Sequence, residues 1–157
     1  PYWGTNGVPI RLAGSHFFCE FTGGATAEPP ESRIAVGLDT LYAPEPTLAA
    51  LAYLTRPPVP EITTGVNPAT VYCAHLGGSS EFGGTTGAGG GWVSDPNDPA
   101  NTVLEVCMFP DGSAIDAWGI TYHSWGTIRG TDLTPLLRYQ SDNPPMVFPA
   151  EVGTPTP

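Results

Sequence analysis

Around Phe17 to Phe21 the side chains alternate. Phe17, Cys19 and Phe21 fall on one face, and His16, Phe18 and Glu20 on the other. That period of two predicts a strand within residues 10–21, broken at Gly23-Gly24. Residues 33–42 contain another strand. In Thr102–Phe109, Val103, Glu105, Cys107 and Phe109 alternate with Thr102, Leu104, Val106 and Met108. Both of its faces are partly apolar, the mark of a central strand. Helical spacing appears twice. Leu48, Leu51, Ala52 and Tyr53 suit a short helix that Pro57-Pro58 stops. Asn67 is a good N-cap, Pro68 fits the first helical position, and Gly77 fits the left-handed cap after Leu76. Val71, Cys73 and Leu76 are expected to face the sheet.

The remaining stretches read as connections. Residues 1–9 are extended and aromatic, with a turn at Asn6-Gly7. Residues 57–65 form a linker. Residues 78–101 are a long surface excursion anchored by Phe82, Trp92 and Val93. Pro110-Asp111-Gly112-Ser113 is a turn, since proline presets its first corner and glycine supplies positive φ. A further element spans Ala114–His123, and Thr134-Pro135-Leu136-Leu137 starts a helical turn. The sum is an α+β fold, mostly β: a small antiparallel sheet, two or three short helices, and extended N- and C-terminal arms. Three regions follow: 1–60 with the N-terminal arm, strands and a short helix; 61–130 as a module; and 131–157 as a proline-rich C-terminal arm.

Composition narrows the function classes. Hydrophobic residues are 40% of the chain, enough for a core, while only 13% is charged. The net charge is −10, and all positive charge comes from five arginines. An acidic, lysine-free surface repels phosphate backbones, which argues against nucleic acid and against anionic membranes. It also excludes any cross-link that uses a lysine amine. The chain starts Pro1-Tyr2-Trp3-Gly4, with no initiating Met, signal peptide or transmembrane run, so a processed extracellular or cell-surface protein is expected. No Asn-x-Ser/Thr acceptor is present.

Three cysteines lack any C-x-x-C spacing, so no zinc site is expected. Cys73 and Cys107 flank the best-defined stretch and are the expected disulfide. Cys19 is left over, either as a buried thiol or as an intersubunit partner.

Asn67-Pro68-Ala69-Thr70-Val71-Tyr72-Cys73, then Gly77-Gly78, then Cys107-Met108-Phe109-Pro110-Asp111-Gly112-Ser113 with Trp118 downstream, closely resembles the DUF333 family. These are small bacterial secreted or lipoprotein modules, often labelled as haemolysins. The resemblance covers about residues 65–130, with the glycine-rich stretch as an insertion and Ala114 where relatives often carry a cysteine. It implies an extracytoplasmic location and a small α+β module. No lytic hairpin or amphipathic lytic helix accompanies it.

Candidate chemistry is thin. His123, Ser124 and Asp116 crowd one stretch without a nucleophile-elbow pattern, so they read as ordinary polar residues. Glu105, Asp111 and Asp116 are carboxylates, but Asp111 is explained by its turn. The oxygen-rich loop Asp95–Asn101 lacks EF-hand spacing. No catalytic residue, metal or cofactor is expected. Trp3, Trp92, Trp118 and Trp125 are candidates for a glycan platform or an interface.

The arms carry the functional expectation. Val8, Ile10 and Leu12 alternate at the N-terminal end, and Met146, Val147 and Phe148 form an apolar run near the C-terminal end. Such segments add strands to a neighbour's sheet edge, and an open head-to-tail contact propagates into a filament. The expected function is a structural subunit of a bacterial extracellular filament, a homopolymer joined by its arms. The alternative is a secreted carbohydrate-binding or adhesive module.

Overall fold

The computed structural model describes residues 2–5, 8–10, 18–23, 32–82, 92–93 and 105–148. In chain order the elements are β1 (Tyr2–Thr5), β2 (Val8–Ile10), β3 (Phe18–Thr22), β4 (Arg33–Gly37), α1 (Leu38–Tyr42), α2 (Leu48–Thr55) and α3 (Pro68–His75). Then come β5 (Ser79–Phe82), β6 (Trp92–Val93), β7 (Glu105–Met108), β8 (Ala114–Asp116) and α4 (Ala117–Ser124). The α+β expectation stands, with a small antiparallel sheet and, among the described residues, four helices rather than two or three.

The main sheet has five strands in the order β3-β4-β8-β7-β5, every pair antiparallel. Its register sets Phe21 opposite Ile34, Cys19 opposite Val36, Val36 opposite Ile115, and Ile115 opposite Cys107. These residues share one face because side chains alternate along a strand. The helices cover that face. Ile34, Val36, Cys107 and Ile115 join Leu51, Tyr53, Tyr72, Ile120, Leu133 and Leu137 in one core, all at most 5% exposed. Residues from 34 to 148 contribute to it, so segments from all three regions read from the sequence share a single core. On the opposite face Val106 and Ala114 are buried beside Phe18 and Met108. As expected, β7 is central. A second, three-stranded sheet has the order β2-β1-β6.

α3 forms as its sequence dictates. The Asn67 side chain accepts from the Ala69 and Thr70 amides at 3.0 and 3.4 Å, and Gly77 takes a φ of 87° past the end. Tyr72 and Cys73 are fully buried, whereas Val71 is only half-buried. Burial pushes the Tyr72 phenol up to about 12, and its hydroxyl donates to the Pro57 carbonyl. The expected disulfide is present: Cys73 and Cys107 tie α3 to β7. Gly78 follows the helix because a Cβ there would stand 2.5 Å from the Cys107 Sγ. Cys19 carries a free thiol on β3.

Two elements differ from expectation. The strand expected within 33–42 is Arg33–Gly37, and Leu38–Tyr42 follows it as a helical turn in which Thr40 turns in to meet β8. Its Oγ1 donates to the Ala114 carbonyl and accepts from the Ala114 amide, at 3.2 and 3.1 Å. Ser79–Phe82, read as part of the surface excursion, pairs along β7 instead. Among the described residues, no helix is long and apolar enough to cross a membrane.

Candidate functional site

α4 presents a candidate binding surface. Asp116 caps it, accepting from the Gly119 amide at 3.1 Å. Gly119 is placed by packing, since a Cβ would lie 2.6 Å from the Ile34 Cδ1. With Ala117, Gly119, Ile120 and Thr121 turned into the core, helical spacing brings Trp118, Tyr122 and Trp125 onto another face. Trp118 and Tyr122 lie 5.7 Å apart between ring centroids, and Tyr122 and Trp125 meet edge to face at 5.5 Å. The Arg129 guanidinium sits 4.8 Å from the Tyr122 ring centre, a cation–π contact. Trp125, at the outer end, is 50% exposed.

The structure therefore joins two of the four candidate tryptophans through Tyr122, a residue the sequence reading did not single out. The i, i+4, i+7 spacing was the available signal, hidden by the failure to recognise the helix. Trp3 and Trp92 are paired in register between β1 and β6. Their side chains lie outside the described residues.

The arm residues divide. Val8 and Ile10 belong to β2, which pairs with β1, while Leu12 lies outside the described residues. Met146 and Val147 are 47% and 54% exposed. Phe148 is instead buried in its own chain's core, 6.0 Å from the Phe109 ring.

The carboxylates occupy separate structural posts. Asp111 accepts from the Ser113 amide at 3.0 Å, the turn bond expected of it, and from the Leu48 amide at 2.8 Å. Burial opposes its charge, but these bonds and the Ser113 hydroxyl outweigh it and hold the carboxyl below the usual range. Glu105 is 5% exposed, and its Oε1 accepts from Asn67 and Thr70 at 2.9 and 3.0 Å. Among the described residues its Oε2 has no geometrically formed hydrogen bond, and burial pushes its pKa up despite the Thr70, Asn67 and Ser80 hydroxyl and amide groups around it. The Asp116 carboxyl is pushed up to about 6 by burial, against the bonds from Gly119 and Ala35.

His123, Ser124 and Asp116 are each engaged elsewhere. The His123 ring stacks on Tyr53 at 3.8 Å, and its Nδ1–H donates to the Tyr53 carbonyl at 2.9 Å. The Ser124 hydroxyl donates to the Pro57 carbonyl at 2.7 Å. Tyr53 sends its own hydroxyl toward Asp132 at 3.4 Å, and burial pushes that phenol up to about 12. The Asp95–Asn101 loop lies outside the described residues. Among the described residues no group of three or more His, Cys, Asp or Glu is placed to hold a metal. Comparison of the chain with family models, with curated proteins and with solved structures finds no match.

Proposed function

We propose that the chain is a structural subunit of a bacterial extracellular filament, assembled head-to-tail by addition of an N-terminal arm strand to a neighbour's sheet. The observation that carries this reading is the edge strand β3. Among the described residues its strand neighbour is β4, met through five consecutive residue pairs without a bulge. Its sequence, Phe18-Cys19-Glu20-Phe21-Thr22, holds no proline, and its one charge, Glu20, is paired with Arg33 of β4 at 3.3 Å. Soluble proteins blunt exposed edges with such devices, and an edge lacking them is a template for another strand. Phe18, Cys19 and Phe21 are half-buried and give an incoming strand apolar neighbours. The Cys73–Cys107 disulfide is consistent with an oxidising compartment. The DUF333-like motifs and the acidic, lysine-free composition support a secreted protein.

Cys19 supplies a built-in reporter on that edge. Val8→Cys, Ile10→Cys and Leu12→Cys, each oxidised beside native Cys19, should yield a ladder of covalent oligomers on a non-reducing gel for at least one variant. Electron microscopy of untreated protein should show regular fibres. Dispersed particles together with intrachain cross-links alone would reject the assembly reading.

A second reading, a glycan-binding or adhesive surface module, is favoured by the Trp118–Tyr122–Trp125 strip. Aromatic faces stack on the apolar faces of sugars. Titration of tryptophan fluorescence with cell-wall and algal glycans tests it, and an unmoved spectrum with all of them counts against it.

A further inference from the structure

A cavity of about 390 Å³ opens between the end of α2, the end of α4 and the turns of residues 132–144. Its volume lies in the lower part of the range of small-molecule sites. None of its lining residues belongs to the β3 edge or to the aromatic strip.

Arg56 is the first sign that the cavity is built to bind. It stands just past α2 with a φ of 51°, the one non-glycine residue with positive φ among those described. That left-handed conformation is the C-cap that ends α2. The Arg56 Nε donates to the His123 carbonyl at 3.0 Å, which pins the planar fork. Among the described residues its Nη groups make no ion pair, although Asp132 and Asp142 line the same cavity. A fixed guanidinium with unused Nη donors is therefore offered to an incoming molecule.

The acceptors come from three different segments. The Nδ1–H of His123 is committed to the Tyr53 carbonyl, and burial, then the Arg56 charge, holds the ring below its usual pKa. The ring is thus neutral near pH 7, with Nε2 left as an acceptor. Burial alone pushes the Asp132 carboxyl up. The Thr134 amide and hydroxyl, with the Tyr53 hydroxyl, outweigh that and hold it below the usual carboxylate range. Its Oδ1 accepts from the Thr134 amide and the Tyr53 hydroxyl. Asp142 and the Ser141 hydroxyl come from the third segment. Leu54, Ile128 and Pro144 supply apolar wall between them.

This lining discriminates among ligand classes. Two carboxylates disfavour an anion, and the Arg56 fork disfavours a simple cation. An ammonium concentrates its donors at one atom, whereas these acceptors come from three separate segments of the lining. A sugar ring carries one hydroxyl on each of several carbons, and each hydroxyl both donates and accepts. Its C–H faces suit the apolar wall. We propose that this cavity binds a single neutral sugar residue, with Arg56 donating to ring hydroxyls and Asp132, Asp142 and His123 accepting from them. The proposal requires neither filament assembly nor the aromatic strip.

Saturation-transfer-difference NMR on the whole chain tests it, and it works on fibres as well as on monomers. The probes are free glucose, galactose, mannose and N-acetylglucosamine, with glycine, glutamate and acetate as charged controls. Transfer to at least one neutral sugar is expected, and it should exceed transfer to every control. Arg56→Gly removes the fork while suiting the backbone, and Asp142→Asn alters an exposed carboxyl. Each should weaken sugar binding about tenfold or more with an unchanged circular dichroism spectrum. Absence of transfer to all four sugars, preference for a control, or full sugar affinity in a folded variant overturns the proposal. Electron microscopy of the same samples reads the assembly separately.

Discussion

Asp116 stands where a helix needs a cap and a charge is costly. Its Oδ1 accepts from the Gly119 amide and its Oδ2 from the Ala35 amide, at 3.1 and 3.4 Å, yet burial lifts its pKa to about 6. An unfolded aspartate titrates near 3.9, so between about pH 4 and about pH 6 the folded chain binds more protons than the unfolded one. Stability contributed by this residue is therefore greatest in acid and falls as pH rises toward 6. His123 works the other way: its pKa is lowered in the folded state, so its share of stability falls as pH drops through the unfolded histidine value. Comparison with Asp116→Asn separates the two, since an amide still caps but does not ionise. The stability of the native chain relative to Asp116→Asn should decline by up to about 2–3 kcal/mol between about pH 4 and about pH 7. Urea denaturation across that range measures the difference, and a flat difference means Asp116 titrates like an exposed carboxyl.

α2 is held by the turn between β7 and β8 as much as by its own sequence. Its first amides need acceptors. Thr47 takes the Ala50 amide at 3.1 Å, but the Leu48 and Ala49 amides go to Asp111 and Ser113, at 2.8 and 2.9 Å. Ser113→Ala strips the buried Ala49 amide of its partner and should cost about 1–2 kcal/mol, read as a lower urea midpoint with an unchanged slope. The Asp-Gly-Ser turn itself was legible; its long-range bonds to a helix more than 60 residues earlier were not. The same division runs through the fold. α3 was legible because Asn67, Pro68 and Gly77 write both of its ends locally. α1 was not, because Gly37 offers no side-chain cap and Thr40 is fixed by Ala114 across the core. α4 was hidden by Gly119 and Thr121, poor helix formers that packing retains. With α4 went the aromatic strip, and the cavity depends on the non-local meeting of Arg56, His123 and Asp132.

At the scale of the molecule, cis and trans contributions to stability are separable. Phe148 is 8% exposed and packs beside Phe109 in the core that Ile34, Tyr72 and Leu137 share, so its contribution is made within one chain. A strand added to the β3 edge from a neighbour is supplied by another chain, and binding of any partner to the folded state stabilises it by mass action. Phe148→Ala should therefore lower the unfolding free energy by about 3 kcal/mol, to the same extent at every protein concentration. Deletion of residues 1–12, which removes β1 and β2, should remove any rise in Tm with concentration. Calorimetry of the native chain and both variants, at two concentrations about tenfold apart, reads these effects together. If the native Tm is independent of concentration, the edge is not completed by a neighbour. If Phe148→Ala instead abolishes a concentration dependence that the deletion preserves, the exchanged segment is the C-terminal one, and Phe148 belongs to the neighbour's core as well as its own.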